Sequence, residues 1–368
     1  MPAAPNDGLY IGLMSGTSAD GIDAALVDAG SARCQVVTTA MSPLPAQLRS
    51  DLLALCAPGD NELDRAGVLH RQLGEVFARA VRELLEKSAV EPSRIQAIGS
   101  HGHTVRHRPG PEGFSLQLGC PHVIATRTSI PVVADFRNRD MVLGGEGAPL
   151  VPRFHQCLFA REGERRAVLN IGGMANVTLL DGKRLAAGFD TGPGNVLLDH
   201  WCHRHTGRHY DADGHWARTG EVLPSLLERL LAEPYFSLLP PKSTGREQFN
   251  GSWLSAQLDG DDDPADVQAT LTELTAASVA LALADFAPDR LLVCGGGVHN
   301  IFLMERLSAH LPDADILPTD HDSGLDPDWV EAAAFAWLAR ARLAGETGNA
   351  PEVTGASGTA ILGALYPP

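Results

Sequence analysis

Short apolar runs broken by glycine-rich polar turns alternate along this chain with longer stretches whose apolar residues recur every three or four positions. The first two runs, "YIGLM" and "IDAALVDA", flank a turn rich in Gly, Ser and Thr; they predict a hairpin, with "SARCQ" leading to a third strand, "VVTTAMSPL". Between residues 62 and 90, Leu69, Leu73, Val76, Phe77, Ala80, Val81, Leu84 and Leu85 fall at helical spacing, and Pro92 closes the stretch. "IQAIGSHGHTV" and "IPVVADF" predict further strands. Strands and helices alternate, so the class is α/β.

Residues 167–181, "AVLNIGGMANVTLLD", repeat the plan of residues 9–28: apolar run, small-residue turn, apolar run, closing Asp. The echo is either chance or the mark of two related halves. Beyond it, "LAAGFDTGPGNVLLDHW" predicts strand, turn and helix with Asn195 as cap, and "RLLVCGGGVHNIFLMERLSAHL" a buried strand, three glycines and a helix. "GLDPDWVEAAAFAWLARARLAG" predicts a helix with Asp326 as N-cap and Pro327 at its first position, ending at Gly345. "DGDDDPADVQ" (259–268) reads as an acidic surface loop, and the tail "VTGASGTAILGALYPP" as a loop and short helix.

Length and charge narrow the function. A chain of 368 residues makes two domains or one large one. Twenty-nine basic against 45 acidic residues give a net charge of -16, which repels nucleic acid and anionic membranes. No basic cluster is denser than "VRHRP" or "GERRA". The start "MPAAPNDGLY" lacks signal-peptide features and no run of about 18 apolar residues marks a membrane span, so a cytoplasmic protein is expected. Six scattered cysteines without a C-x-x-C pair fit reduced, mostly buried thiols.

Glycine turns after strands recur at 12–21, 172–173, 192–194 and 295–297. Each allows backbone N–H groups to approach an anion closely, and helix N-termini placed after them add their dipole; any one could equally be a tight turn that the fold needs. Together they favour a phosphate-bearing ligand. The Walker pattern G-x-x-x-x-G-K-[ST] is absent, and "GPGNVL" puts Leu197 where a dinucleotide fingerprint needs its third glycine. The opening hairpin suits another design, in which Gly16, Thr17, Ser18 and Gly21 lay donors on terminal phosphates. Asp20 would then reach the water shell of a Mg²⁺ carried by ATP, or else fills a turn position that Asp favours; Asp23 is a second carboxylate or a solvated strand position.

Asp190, in "GFDTGPGN", follows an apolar run and precedes a glycine turn and helix, where α/β sheets display catalytic groups. It is a candidate general base, or a carboxylate capping the turn. "SHGHTVRHRP" carries His101, His103 and His107; a metal pair would lack a third ligand, which favours a polar substrate loop. Arg137, Arg139 and Asp140 follow a strand and either reach a ligand or form a surface cluster, and Glu331 in an apolar helix sits at a solvent edge or faces a substrate hydroxyl.

These stretches, with "GLMSGTSADGID", "IPVVADFRNRDMVLGGEGAPLVP", "LNIGGMANVT", "VCGGGVHN" and "PDWVEAAAFAWLA", run in order over nearly the whole chain. The chain resembles the anhydro-N-acetylmuramic acid kinases of the actin-like sugar kinase and heat-shock chaperone superfamily. Ala19 stands where Leu is usual and Glu146 where Gln is usual; the second adds a charge near the presumed cleft. The resemblance implies an actin-like (ribonuclease H-like) fold of two lobes, residues 1–135 with about 346–368 and residues 136–345, with ATP and sugar in the cleft between them. It implies that Gly16, Thr17, Ser18, Ala19, Asp20, Gly21, Ile22 and Asp23, with Gly172 and Gly173, hold the phosphates and that Gly295, Gly296 and Gly297 lie near the nucleoside. Asp190 would be the base, and Arg137, Glu331 and His103 would hold the sugar. The implied reaction opens the 1,6-anhydro bridge of the muramyl sugar with water and phosphorylates O6, using ATP and Mg²⁺; a homodimer is the family's expectation. An actin-like ATPase switch would need no sugar, though no appended peptide-binding domain follows the core. A kinase of another sugar would need an ordinary 6-hydroxyl and no water attack.

Overall fold

The computed structural model describes residues 8–16, 19–30 and 34–368. It divides into two units, Met1–Phe154 with Trp329–Pro368, and His155–Asp328.

The first unit is built on β1 (Leu9–Ser15), β2 (Gly21–Asp28), β3 (Gln35–Pro43), β4 (Ile95–Arg108), β5 (Phe114–Leu118) and β6 (Val132–Ala134), completed by the last strand of the chain. β1, β2 and β3 form an antiparallel meander, β4 joins β1 in parallel, and β6 joins β4 in parallel. The helix Glu62–Ser88 covers the sheet with the apolar stripe that the sequence displays, burying Leu69, Leu73, Phe77, Val81 and Leu84.

The second unit repeats this plan. β7 (Arg165–Ile171), β8 (Met174–Asp181) and β9 (Arg184–Pro193) form an antiparallel meander; β10 (Arg290–Cys294) lies parallel to β7, and β11 (Asp315–Pro318) parallel to β10. Strand order is therefore β3-β2-β1-β4-β6 in one sheet and β9-β8-β7-β10-β11 in the other. The echo between residues 9–28 and 167–181 is a pair of equivalent hairpins, as an actin-like fold of two ribonuclease H-like halves requires.

Four expectations change. The helix Val330–Ala344 and residue Arg137 belong to the first unit, so its boundaries lie at 154 and 329 instead of 135 and 346. The reason is close packing: a Cβ on Gly12 would collide with the Ala332 carbonyl, and one on Gly99 with the Phe335 carbonyl, so two glycines let this helix lie against β1 and β4. Residues 264–268 open a buried helix, Pro264–Leu283, whose N-cap is Asp263. The tail ends in β12 (Ala364–Tyr366), antiparallel to β6, with its short helix earlier at Pro351–Thr354. Of the six cysteines only Cys202 and Cys294 are buried, while Cys56 and Cys157 are exposed.

Candidate active site

In the first unit the turn between β1 and β2 is the expected phosphate site; Thr17 and Ser18 lie outside the described residues. Ala19 donates its N–H to the Gly16 carbonyl (3.1 Å) in a left-handed conformation, φ 53°. Asp20 Oδ1 lies 2.8 Å from Arg49 Nη2 in an exposed ion pair, of the sort that contributes at most about 1 kcal/mol. Gly21 and Ile22 open β2, with Ile22 in the core, and Asp23 follows, half-buried opposite Met14 and Met41. His103 is buried on β4 opposite Ser15, its Nδ1 3.2 Å from Ser15 Oγ.

The same unit brings Arg137, Glu331 and His101, the first histidine of the H-x-H pair, into one cluster. Arg137 Nη1 donates to the Gly147 carbonyl (2.7 Å), and Nη2 and Nε lie 2.8 and 3.3 Å from His101 Nε2. His101 Nδ1 is 3.0 Å from its neighbour's carbonyl, on Gly102. Both ring nitrogens are thus engaged, which removes His101 from the H-x-H metal pair. Asp140, fully buried, accepts from the Gly147 N–H (2.9 Å), Asn349 Nδ2 and Thr354 Oγ1 (both 2.8 Å). It is a loop anchor, not a surface charge, and with Arg137 it holds the Gly147 peptide from both ends. Glu331 stands in the first turn of the helix that packs on β1 and β4; burial raises its carboxyl pKa, and the charge of Arg137 opposes that rise.

In the second unit, Asp190 lies near the end of β9, beside a bulge at Ala175/Asn176. Its backbone is fixed on both sides: its N–H donates to the Lys242 carbonyl (3.2 Å) and its carbonyl accepts from the Tyr235 hydroxyl (2.7 Å). Its Oδ2 accepts the Thr244 N–H (3.0 Å). Burial and the Asp190 charge push the Tyr235 phenol well up, so it stays a hydrogen-bond donor, and burial lowers the Lys242 ammonium. Tyr235, Lys242 and Thr244 carry no local sequence signal, since they sit in an irregular segment 45 to 54 residues downstream of Asp190. Asn195 does not cap the following helix; Gly194 does, and Asn195 Nδ2 donates to the Ile171 carbonyl (3.2 Å). Gly172 and Gly173 form the turn of the β7–β8 hairpin, and their carbonyls accept the N–H groups of Gly194, Asn195 and Val196. These amides brace the turn.

Gly295, Gly296 and Gly297 follow β10. Gly295 has φ +78°, and a Cβ on it would meet Asn170 Oδ1 and the Ile171 carbonyl; one on Gly297 would meet the Ile171 side chain. Gly296 has open space instead, and it lines a cavity of about 370 Å³ with Asn195, Asp199, Tyr210, Asp213 and His299. An aromatic ring, amides and carboxylates around an open volume of this size suit a nucleoside.

A sequence profile of the family described as "Anhydro-N-acetylmuramic acid kinase" matches residues 8–368. The chain belongs to the anhydro-N-acetylmuramic acid kinase family. It is similar to the family member of Variovorax paradoxus (strain S110), with 52% identity over 98% of this chain and 99% of that one. It is similar also to that of Bordetella pertussis (strain Tohama I / ATCC BAA-589 / NCTC 13251), with 54% identity over 98% and 96%. Among solved structures it resembles an activator of 2-hydroxyisocaproyl-CoA dehydratase from Clostridium difficile with bound ADPNP, with TM-score 0.48, 14% identity, and 91% and 95% of the two chains covered. For an anhydro-N-acetylmuramic acid kinase, the two units divide the expected residues: hairpin, His103, Arg137 and Glu331 in one, Asp190 and the glycines 172–173 and 295–297 in the other.

Proposed function

We propose that this chain is an ATP-dependent kinase that opens the 1,6-anhydro ring of 1,6-anhydro-N-acetylmuramic acid with water and phosphorylates O6, giving N-acetylmuramic acid 6-phosphate and ADP. The observation that carries this reading is the family match over residues 8–368. The geometry around Asp190 adds support, because a general base needs a carboxylate on rigid backbone, and its peptide and one carboxylate oxygen are fixed by Lys242, Tyr235 and Thr244.

In this account Asp190 takes a proton from the water whose oxygen bonds to C1. The C1–O6 bond breaks, O6 gains the electron pair, and it attacks the γ-phosphorus as the bond to ADP breaks. The phosphates lie on the 16–23 turn and the nucleoside in the cavity beside Gly296. Mg²⁺ offsets phosphate charge when bound, and it takes one or two carboxylates with water and phosphate oxygens. Asp23 and Asp20 have that donor chemistry, Asp20 upon release from Arg49. Arg137 and Glu331 hold the sugar, with His103 beside the hairpin. Net charge and the use of ATP support a cytoplasmic enzyme; the homodimer expected of the family is tested by sedimentation.

A coupled ADP-release assay tests the reading. Wild type should release ADP only when the anhydrosugar is present, and Asp190→Asn should lower kcat by about 10²- to 10⁴-fold. ADP release that ignores the sugar would overturn the function, and an unaffected Asp190→Asn variant would remove the base assignment.

A further inference from the structure

Asp199, Asp211 and Asp213 line the cavity beside Gly296, and the turn after the helix Asn195–Thr206 gives the last two different work. Asp211 is buried, and both its carboxylate oxygens accept backbone N–H groups, Oδ1 that of Trp216 and Oδ2 that of Ala217, each at 2.9 Å. That carboxylate closes the turn. Asp213 stands two residues on, at φ 57° and ψ 7°, followed by Gly214 at φ +69°. The His215 N–H donates to the Ala212 carbonyl (3.1 Å), so residues 212–215 make a tight turn with two left-handed residues at its centre. A Cβ on Gly214 would meet Asn300 Oδ1 and the Phe302 side chain. The turn is thus pressed onto the start of the helix Ile301–His310, with Asp213 held at the cavity.

Glycine takes up a left-handed conformation more readily than aspartate, and backbone strain of this kind collects where side chains clamp ligands. What Asp213 adds to the turn is a carboxylate. Its side chain is about half exposed, and its ion-pair neighbour, His215 Nδ1, is 3.8 Å away, beyond hydrogen-bond reach. Three carboxylates and no Lys or Arg among the described residues of the lining repel phosphate, so the uncharged end of a nucleotide is what enters. A carboxylate can only accept, and the donors of adenosine are its ribose hydroxyls and its exocyclic amine. Buried Leu198 gives the base an apolar wall, whereas Asp213 stands at the wet rim, where a pair of neighbouring hydroxyls matches its two oxygens. We propose that Asp213 accepts hydrogen bonds from the 2′- and 3′-hydroxyls of the ATP ribose and sets a preference for ribonucleotides. This inference rests on the placing of the nucleoside in this cavity.

Calorimetric titration with ADP, with 2′,3′-dideoxy-ADP and with inosine diphosphate, which lacks the amine, tests this in wild type, Asp213→Gly and Asp213→Asn. Binding measured without the sugar keeps the test apart from the catalysed reaction. Wild type should prefer ADP to its dideoxy form by about tenfold or more, the range of hydrogen bonds to a charged group. Asp213→Gly should weaken ADP by about that factor and change the dideoxy form by less than about threefold. Its Tm should not fall, since glycine suits the turn, and this separates a ligand contact from a structural role. Asp213→Asn, which keeps an acceptor but not the charge, should lie between the two. The preference for ADP over inosine diphosphate should be the same in all three proteins. A wild type indifferent to the hydroxyls, or an Asp213→Gly variant that still prefers ADP to its dideoxy form, would overturn the proposal. So would loss of the preference over inosine diphosphate in its place, which would assign the carboxylate to the amine. Failure of wild type to bind ADP at all would instead overturn the kinase reading.

Discussion

At the scale of single residues, Gly296 separates the nucleoside assignment from the fold. Gly295 and Gly297 are required by their neighbours, Gly295 also by its positive φ, but a side chain on Gly296 meets nothing within 4 Å and the residue lines the cavity. Gly296→Val should therefore raise the KM for ATP at least about tenfold, through loss of cavity volume, with little change in thermal stability or in the KM for the sugar. Unchanged ATP kinetics would remove the nucleoside from this cavity. The sequence displays the glycines but cannot rank them, because identical letters hide different φ values and neighbours. It likewise displays three histidines in "SHGHTVRHRP" without telling which one meets Arg137; that depends on the chain returning 36 residues later. The partners of Asp190 were hidden for the same reason.

At the scale of elements, the helix Val330–Ala344 carries Glu331 and depends on two glycines in the strands beneath it. Gly99→Ala would drive a methyl group into the Phe335 carbonyl, and Gly12→Ala one into that of Ala332. Overpacking of this kind costs about 1–3 kcal/mol or more, and here it also displaces Glu331. Gly99→Ala should lower Tm by several degrees and raise the KM for the sugar; a variant with wild-type Tm and KM would show that the contact is dispensable. The helix itself was legible from its spacing and from Gly345, which ends it in a left-handed conformation. Its membership of the first unit was not, since the match between Gly12, Gly99 and the helix backbone is tertiary. The helix Pro264–Leu283 escaped detection because it is buried on nearly all sides, from Val267 to Val279, and so shows no amphipathic period.

At the scale of the molecule, the two units share one strand plan; the echo between their hairpins, which the sequence alone left open to chance, is the mark of that plan. Each unit also holds a neutral histidine, half-buried His107 in the first and buried His155 in the second. Burial foremost lowers His107 to about 4, with Arg137 adding to the effect, and lowers His155 to about 3. Because these folded-state values lie below the unfolded value of about 6.5, the stability they contribute is complete above that pH and is lost as pH falls toward 4 and 3. Each should cost about 2 kcal/mol between pH 7 and 5. Tm should fall over that interval, and His107→Asn should make the fall shallower whatever its Tm at neutral pH; an unchanged slope would contradict the assignment.

In the proposed reaction, hydrolysis of the anhydro bridge is joined to phosphoryl transfer. The most direct measurement is mass spectrometry of the sugar product formed in ¹⁸O-labelled water with ATP. The product should carry one phosphate on O6 and one ¹⁸O at C1, bound as the ring opens. A phosphorylated product without the label at C1 would contradict it.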